Sequence, residues 1–312
     1  MLKIMKLRIE KNKIIDTDGR EIVLNGININ SPCILKFQEN HDFLEDIRQI
    51  KKLGANAVSI PVCPAYFQSR DNYCEEILDT IIQTCKDLNL HCLLDWHAQG
   101  NPIKGATRDP KNFIDGYLKY DANLDIATKS AEILSSRYKN EPNVIFNPFS
   151  AFLESGRNDY LEATKILLKI IRKNTDSIVI ISAVDWPQSL KYAPFEELRP
   201  EKNIAYGIML YFGENLGEEK KNIIKIKEKG YPVIITEWGY QKNNPKEKEM
   251  SGGVDDYAKP IGDFISRNKI NSFAWCYHPT RQPCLLNSWN PNDLSEWGMF
   301  LKEWLNNLKT GM

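Results

Sequence analysis

Glu237 closes the stretch Val233-Ile234-Ile235-Thr236, and a carboxylate placed directly after such a run costs several kcal/mol to bury in its charged form unless neighbours compensate. That leaves two readings, a buried ion pair or a reactive group. Other apolar runs end in chemistry-bearing side chains too: Leu93-Leu94-Asp95-Trp96-His97, the run reaching Tyr211, Glu237-Trp238-Gly239, and Ala274-Trp275-Cys276-Tyr277-His278. Together they offer an acid, an imidazole, a phenol and several indoles. A carboxylate can serve as nucleophile or general base, and aromatic faces suit flat or sugar-like ligands. Each has a plainer alternative: His97 as a satisfied core histidine, Trp275 and Tyr211 as packing, and Asp95 as an internal hydrogen-bond acceptor.

These side chains share a site only if the fold brings the strand ends together. Eight β-branched or apolar runs recur, at 21–28, 57–62, 92–97, 143–149, 177–184, 205–211, 232–237 and 272–277. They read as strands covered on both faces. Amphipathic stretches separate them at 43–53, 74–88, 124–138, 160–172, 220–229 and 257–268, with a last one at 294–308. The fifth crossover, around 189–198, has the weakest pattern. Gly54, Asn89 and Gly230 lie where left-handed caps end helices, and Asp42 and Asp255 where side chains begin them.

Repeated βα units predict an α/β protein with a parallel sheet, either a closed (β/α)8 barrel or an open doubly wound sheet. No glycine-rich phosphate loop follows the first run, which favours the TIM barrel: one domain over 1–312, with an N-terminal strand extension and long loops after strands 3 and 7, at 98–123 and 240–254. In such a barrel the strand ends converge on one mouth.

Bulk properties exclude several classes. Lys+Arg and Asp+Glu number 41 each, so no summed field favours nucleic acid or an anionic membrane. The 7 cysteines are scattered, at neither disulfide-framework nor zinc-ligand spacing, and read as free buried thiols. Asp95 and His97 are too few for a metal centre, so neither metal nor cofactor is expected. The opening residues alternate basic with apolar side chains, unlike a secretory signal, and no stretch suits a membrane span. A soluble protein follows, cytoplasmic or secreted with its leader absent, and a monomer with a small-molecule ligand is expected.

The order of strand-end motifs resembles glycoside hydrolase family 5, the cellulase-like retaining β-glycosidases, over nearly the whole chain. The resemblance runs through Leu24-Asn25-Gly26-Ile27-Asn28, Ala57-Val58-Ser59-Ile60-Pro61-Val62, Asp95-Trp96-His97, Pro142-Asn143-Val144-Ile145-Phe146, Tyr206 to Tyr211, Thr236-Glu237-Trp238-Gly239 and Ala274-Trp275. It implies a nucleophilic glutamate after strand seven and an acid/base glutamate after strand four. Glu237 matches the nucleophile. The strand-four pattern Phe-Glu-x-x-Asn-Glu-Pro falls without gaps on Phe146-Asn147-Pro148-Phe149-Ser150-Ala151-Phe152, placing Ala151 at the acid/base and Ser150 at the asparagine that contacts the sugar 2-hydroxyl. The arginine of strand two corresponds to Ser59 and the histidine of strand six to Met209.

The departures cluster at the site while the scaffold motifs persist, a distribution that loss of fold does not produce. The resemblance therefore implies a glycosidase-like barrel with an altered active site, binding a β-glucan-type chain on His97, Tyr211, Trp275, Trp96 and Trp238, its hydrolysis weak or lost. Two alternatives stand beside it. In one, Glu237 is the single base of a proton-transfer enzyme in an apolar pocket, as in an engineered glycosidase derivative. In the other, Glu154, three residues beyond Ala151, replaces the missing acid in an active endo-β-glycosidase.

Overall fold

The computed structural model describes residues 4–105, 123–184, 189–190, 193, 196–211, 216–242 and 250–310. Eight parallel strands close into a barrel in chain order: β1 (Asn25–Ile29), β2 (Ala57–Val62), β3 (His91–Trp96), β4 (Val144–Asn147), β5 (Val179–Ser182), β6 (Ile204–Met209), β7 (Val233–Trp238) and β8 (Asn271–Tyr277). This is the expected (β/α)8 architecture. β1 to β7 are buried along nearly their whole length, as strands sandwiched between a barrel interior and a helix layer must be.

Alternate residues point inward, and the interior changes character along the barrel axis. At the N-terminal end Leu24, Ala57, Leu93, Ile145, Ile180, Ala205, Ile234 and Phe273 form one apolar plug. A hairpin, Arg8–Glu10 with Lys13–Ile15, covers that end by adding Leu7 and Ile14 to the same cluster. Gly26 is required here, because a Cβ would lie 2.3 Å from the Phe273 ring. Two residues further along β2 to β5 the inward positions turn polar, with Ser59, Asp95, Asn147 and Ser182 all buried, as is Asn28 four residues beyond Leu24. The apolar half drives closure of the barrel, and the polar half lies toward the strand C-termini.

The helix layer follows its amphipathic faces. Phe43–Leu53 buries Phe43, Ile47 and Ile50, begins with the Asp42 carboxylate accepting the N–H of Leu44 at 3.0 Å, and ends on Gly54 at φ 112°. Asn89 and Gly230 are likewise left-handed, at φ 54° and 94°. Asp255 is not a cap. It lies inside the first turn of Val254–Ala258, and Asp256 instead accepts the N–H of Gly253 at 2.6 Å.

Two short helices, Pro32–Phe37 and Pro64–Ser69, escape the periodicity reading because four of six residues in each are buried, leaving no polar stripe. The described part of 189–198 holds turns and bridges but no helix. Within the two long loops, 106–122 and 243–249 lie outside the described residues. All seven cysteines are free and buried.

Candidate active site

Glu237 reaches the mouth through a local irregularity. Along β7 the pairing register slips against both neighbours, between Ile208 and Met209 on one side and between Ile235 and Trp238 on the other. Strict alternation from the inward Ile234 would aim Trp238 at the barrel axis. The slip instead turns Glu237 inward and Trp238 outward.

The Glu237 carboxylate is buried, and Tyr211 donates a hydrogen bond to its Oε2 at 2.7 Å. Burial pushes its pKa up to about 7 against the opposing pull of His97 and of the Tyr211 hydroxyl, while Asp95 adds to the rise. Burial alone would lower the pKa of His97, but the Asp95 carboxylate, 2.6 Å from Nδ1, outweighs it and with Glu237 holds it raised. The His97 ring lies parallel to Trp275, 9° between planes and 6.0 Å between centroids. The structure thus brings Glu237, Tyr211, His97 and Trp275 together.

Behind them runs a chain that the motifs did not single out. Ser182 Oγ donates to Asn147 Oδ1 at 3.0 Å, and Asn147 Nδ2 donates to Asp95 Oδ1 at 2.7 Å. Both carboxylate oxygens of Asp95 are therefore engaged, and the imidazole is held by a rigid wall of β3, β4 and β5. The signal was available in the sequence: Asn147 and Ser182 each follow an inward isoleucine by two residues. On the other side the backbone carbonyl of Trp275 accepts the indole N–H of Trp297 at 2.8 Å, and the Tyr257 hydroxyl accepts the N–H of Gly239 while donating to the carbonyl of Leu210.

Two expected ligand-stacking residues are elsewhere. Trp96 alternates out of the barrel from Asp95 and packs edge-on against Phe67, ring centroids 5.2 Å apart. Trp238 packs against Trp297 and Trp304 at 4.8 and 5.2 Å. Both are almost wholly buried in the layer between strands and helices, so neither offers a face to a ligand.

Of the remaining positions, Ser59 is inward and buried on β2, and Met209 pairs with Glu237 across β6 and β7. Ser150 and Ala151 are buried, and Ala151 pairs with Gln99 in a short parallel ladder above the barrel. Glu154 is exposed and left-handed at φ 50°, two residues beyond the end of this ladder. Among the described residues no group of three or more His, Cys, Asp or Glu is placed to hold a metal ion. No helix among them is long and apolar enough to cross a membrane.

A closed parallel barrel with a buried carboxylate, an imidazole and an indole at the C-terminal ends of its strands defines an enzyme-type scaffold. Residues 15–281 match the family described as Cellulase (glycosyl hydrolase family 5), and the chain belongs to that family. It is similar to Endoglucanase A of Butyrivibrio fibrisolvens, 21% identical over 97% of this chain and 69% of that protein. An endoglucanase of Clostridium saccharobutylicum is 23% identical over 96% of this chain and 64% of its own length. Among solved structures, the beta-glucanase SdGluc5_26A from Saccharophagus degradans superposes with a TM-score of 0.86 at 20% identity, covering 98% of this chain and 94% of that one. A beta-mannanase from Streptomyces thermolilacinus gives 0.75 at 18% identity, over 98% and 97%. The first has been solved with cellotetraose and the second with mannohexaose.

Proposed function

We propose that this barrel binds a β-glucan-type oligosaccharide at its mouth and keeps the nucleophilic carboxylate, Glu237, without the general acid, so that it cleaves ordinary β-glycosides poorly. The observation that carries the reading is Ala151. It is buried and stands where the family pattern has its acid/base glutamate, one residue after Ser150 at the sugar-contacting asparagine. Without a proton donor the leaving oxygen departs as an alkoxide, and such donors contribute about 10²–10⁴ in rate. Glu154 is a poor substitute, since a retaining mechanism needs its two carboxyl groups roughly 5 Å apart, whereas Glu237 is buried and Glu154 is an exposed, left-handed residue past the end of the Ala151 ladder.

On this reading Trp275 supplies the stacking face and His97 the polar contact, while Tyr211 orients Glu237. Glycosides with acidic leaving groups, such as nitrophenyl cellobioside, need no protonation and remain substrates. Calorimetric titration with cellotetraose, paired with turnover of nitrophenyl cellobioside and of unactivated glucan, tests the proposal. Binding with turnover of the activated substrate alone is expected. Efficient cleavage of the unactivated glucan would refute the missing acid.

One observation favours a second reading. A carboxylate raised to about 7 in a desolvated site is a competent proton acceptor near neutrality. Proton abstraction from an activated carbon acid that vanishes in Glu237→Gln, without oligosaccharide binding, would favour that reading.

A further inference from the structure

The turn after β8 is closed by a side chain outside the Glu237 cluster. His278 is 1% exposed. Its Nδ1 accepts the backbone N–H of Thr280 at 3.0 Å and of Arg281 at 3.1 Å, and its Nε2 faces Glu39 Oε2 at 2.8 Å. Backbone N–H groups can only donate, so Nδ1 carries the lone pair and Nε2 the proton that goes to Glu39. This is the neutral imidazole. A doubly protonated ring has nothing to offer the turn.

The turn in turn holds the site. The Gln282 carbonyl accepts the indole N–H of Trp275 at 3.1 Å, and the Pro283 carbonyl accepts the N–H of Cys276 at 2.8 Å. The orientation of Trp275 therefore depends on the segment that His278 folds back. From outside, Trp289 meets His278 edge-on at 4.7 Å and stacks on His41 at 3.6 Å, with His41 Nε2 2.8 Å from Asp46 Oδ1.

We propose that His278 is a positioning residue: in its neutral form it closes the 278–281 turn and, through Gln282, sets the Trp275 indole, and acid releases both. The proposal rests on the reading that Trp275 stacks on bound oligosaccharide, but the turn itself does not. Charged groups facing His278 are Glu39, from the segment after Pro32–Phe37, Arg281, from its own turn, and His41, from the segment leading into Phe43–Leu53. Burial, with Arg281 and His41, holds the His278 pKa below its usual value against Glu39. The release thus falls on the acid side of neutrality. Behind His41 lies Asp46, raised by burial to about 6 against the pull of His41 and so titrating in the same range; the test must separate the two pairs.

Two substitutions do so. His278→Asn places a non-titrating oxygen where it accepts the same two N–H groups, the usual hydrogen bonding of an Asx turn. His278→Leu keeps bulk without an acceptor. The readouts are the Trp275 indole N–H resonance, assigned with Trp275→Phe, and cellotetraose affinity, each followed from pH 8 to pH 5.

In the wild-type protein the indole N–H is expected to lose its exchange protection on acidification while cellotetraose binding weakens about five-fold, the scale of one aromatic contact. His278→Asn should flatten the indole transition and lessen the affinity loss, leaving the part that Glu237 and His97 carry, and His278→Leu should show the acid indole behaviour at pH 8. Persistence of the wild-type indole transition in His278→Asn would overturn the proposal whether or not His278→Leu folds, and so would a wild-type indole signal in a folded His278→Leu. An indole that responds as expected while cellotetraose affinity stays constant would uphold the turn and remove the stacking role given to Trp275.

Discussion

The positions at the barrel mouth that keep the family's residues and those that depart from them differ in how much polar chemistry they carry. Where the chain keeps the family's residues, Tyr211 donates to Glu237 at 2.7 Å and His97 Nδ1 lies 2.6 Å from Asp95, whose other oxygen accepts from Asn147 in a chain that continues to Ser182. Where the family pattern puts an arginine, an asparagine, a glutamate and a histidine, the chain has Ser59, Ser150, Ala151 and Met209. A site drifting without function would be expected to loosen everywhere, because a half-satisfied buried network is less stable than apolar packing. Here the polar partners of Glu237 and His97 are kept, while on the proposed function the substituted positions include the one that would donate the proton. The difference separates holding and attacking a substrate from protonating its leaving group.

The largest effect should come from the kept residues. Glu237→Gln keeps shape and loses nucleophilicity, so turnover of nitrophenyl cellobioside should fall to the uncatalysed level while cellotetraose still binds; persistent turnover would move the chemistry to another residue. Next, restoring the family's residues with Ala151→Glu and Ser150→Asn should raise cleavage of unactivated glucan by about 10²–10⁴. An unchanged rate in a folded double variant would show that Ser59 or Met209 limits the site instead.

Stability offers a third contrast. Because burial raises the Glu237 pKa to about 7, folding favours the protonated form, and stability declines as pH rises from the unfolded value through the folded one. Glu237→Gln should therefore gain up to about 3 kcal/mol at pH 8 and little at pH 4, by denaturant titration at both. A gain equal at the two pH values would assign it to packing.

Fourth, turnover of the activated glycoside should climb about ten-fold per pH unit below 7 and level off above it, since nucleophilic attack needs the ionised carboxylate. A bell with an alkaline limb would reveal a working acid. Smallest of all, Glu154→Ala should leave every rate within about two-fold, as for an ordinary exposed side chain; a large loss would restore Glu154 as the donor.

Much of this was legible from residue types alone. Long apolar runs, caps at Asp42, Gly54, Asn89 and Gly230, and an amphipathic stretch after every strand but the fifth define a parallel βα repeat, because backbone pairing and burial act on local pattern. Glu237 was legible for the same reason, a charge where only apolar side chains are cheap. Trp96 was a misreading that the pleat alone could have prevented, since it alternates with the inward Asp95. Trp238 was different, because nothing in Thr236-Glu237-Trp238 announces a slip in register.

The sequence by itself determined the repeat, the apolar plug and the set of side chains able to do chemistry, since these follow from composition and periodicity along the chain. The tertiary structure decided which of them meet: a bulge in β7 turned Glu237 inward and Trp238 out, closure of the barrel set Tyr211 2.7 Å from Glu237, and Asn147 and Ser182 became a support for Asp95. Register and closure depend on all eight strands at once, so no local stretch of sequence carries them.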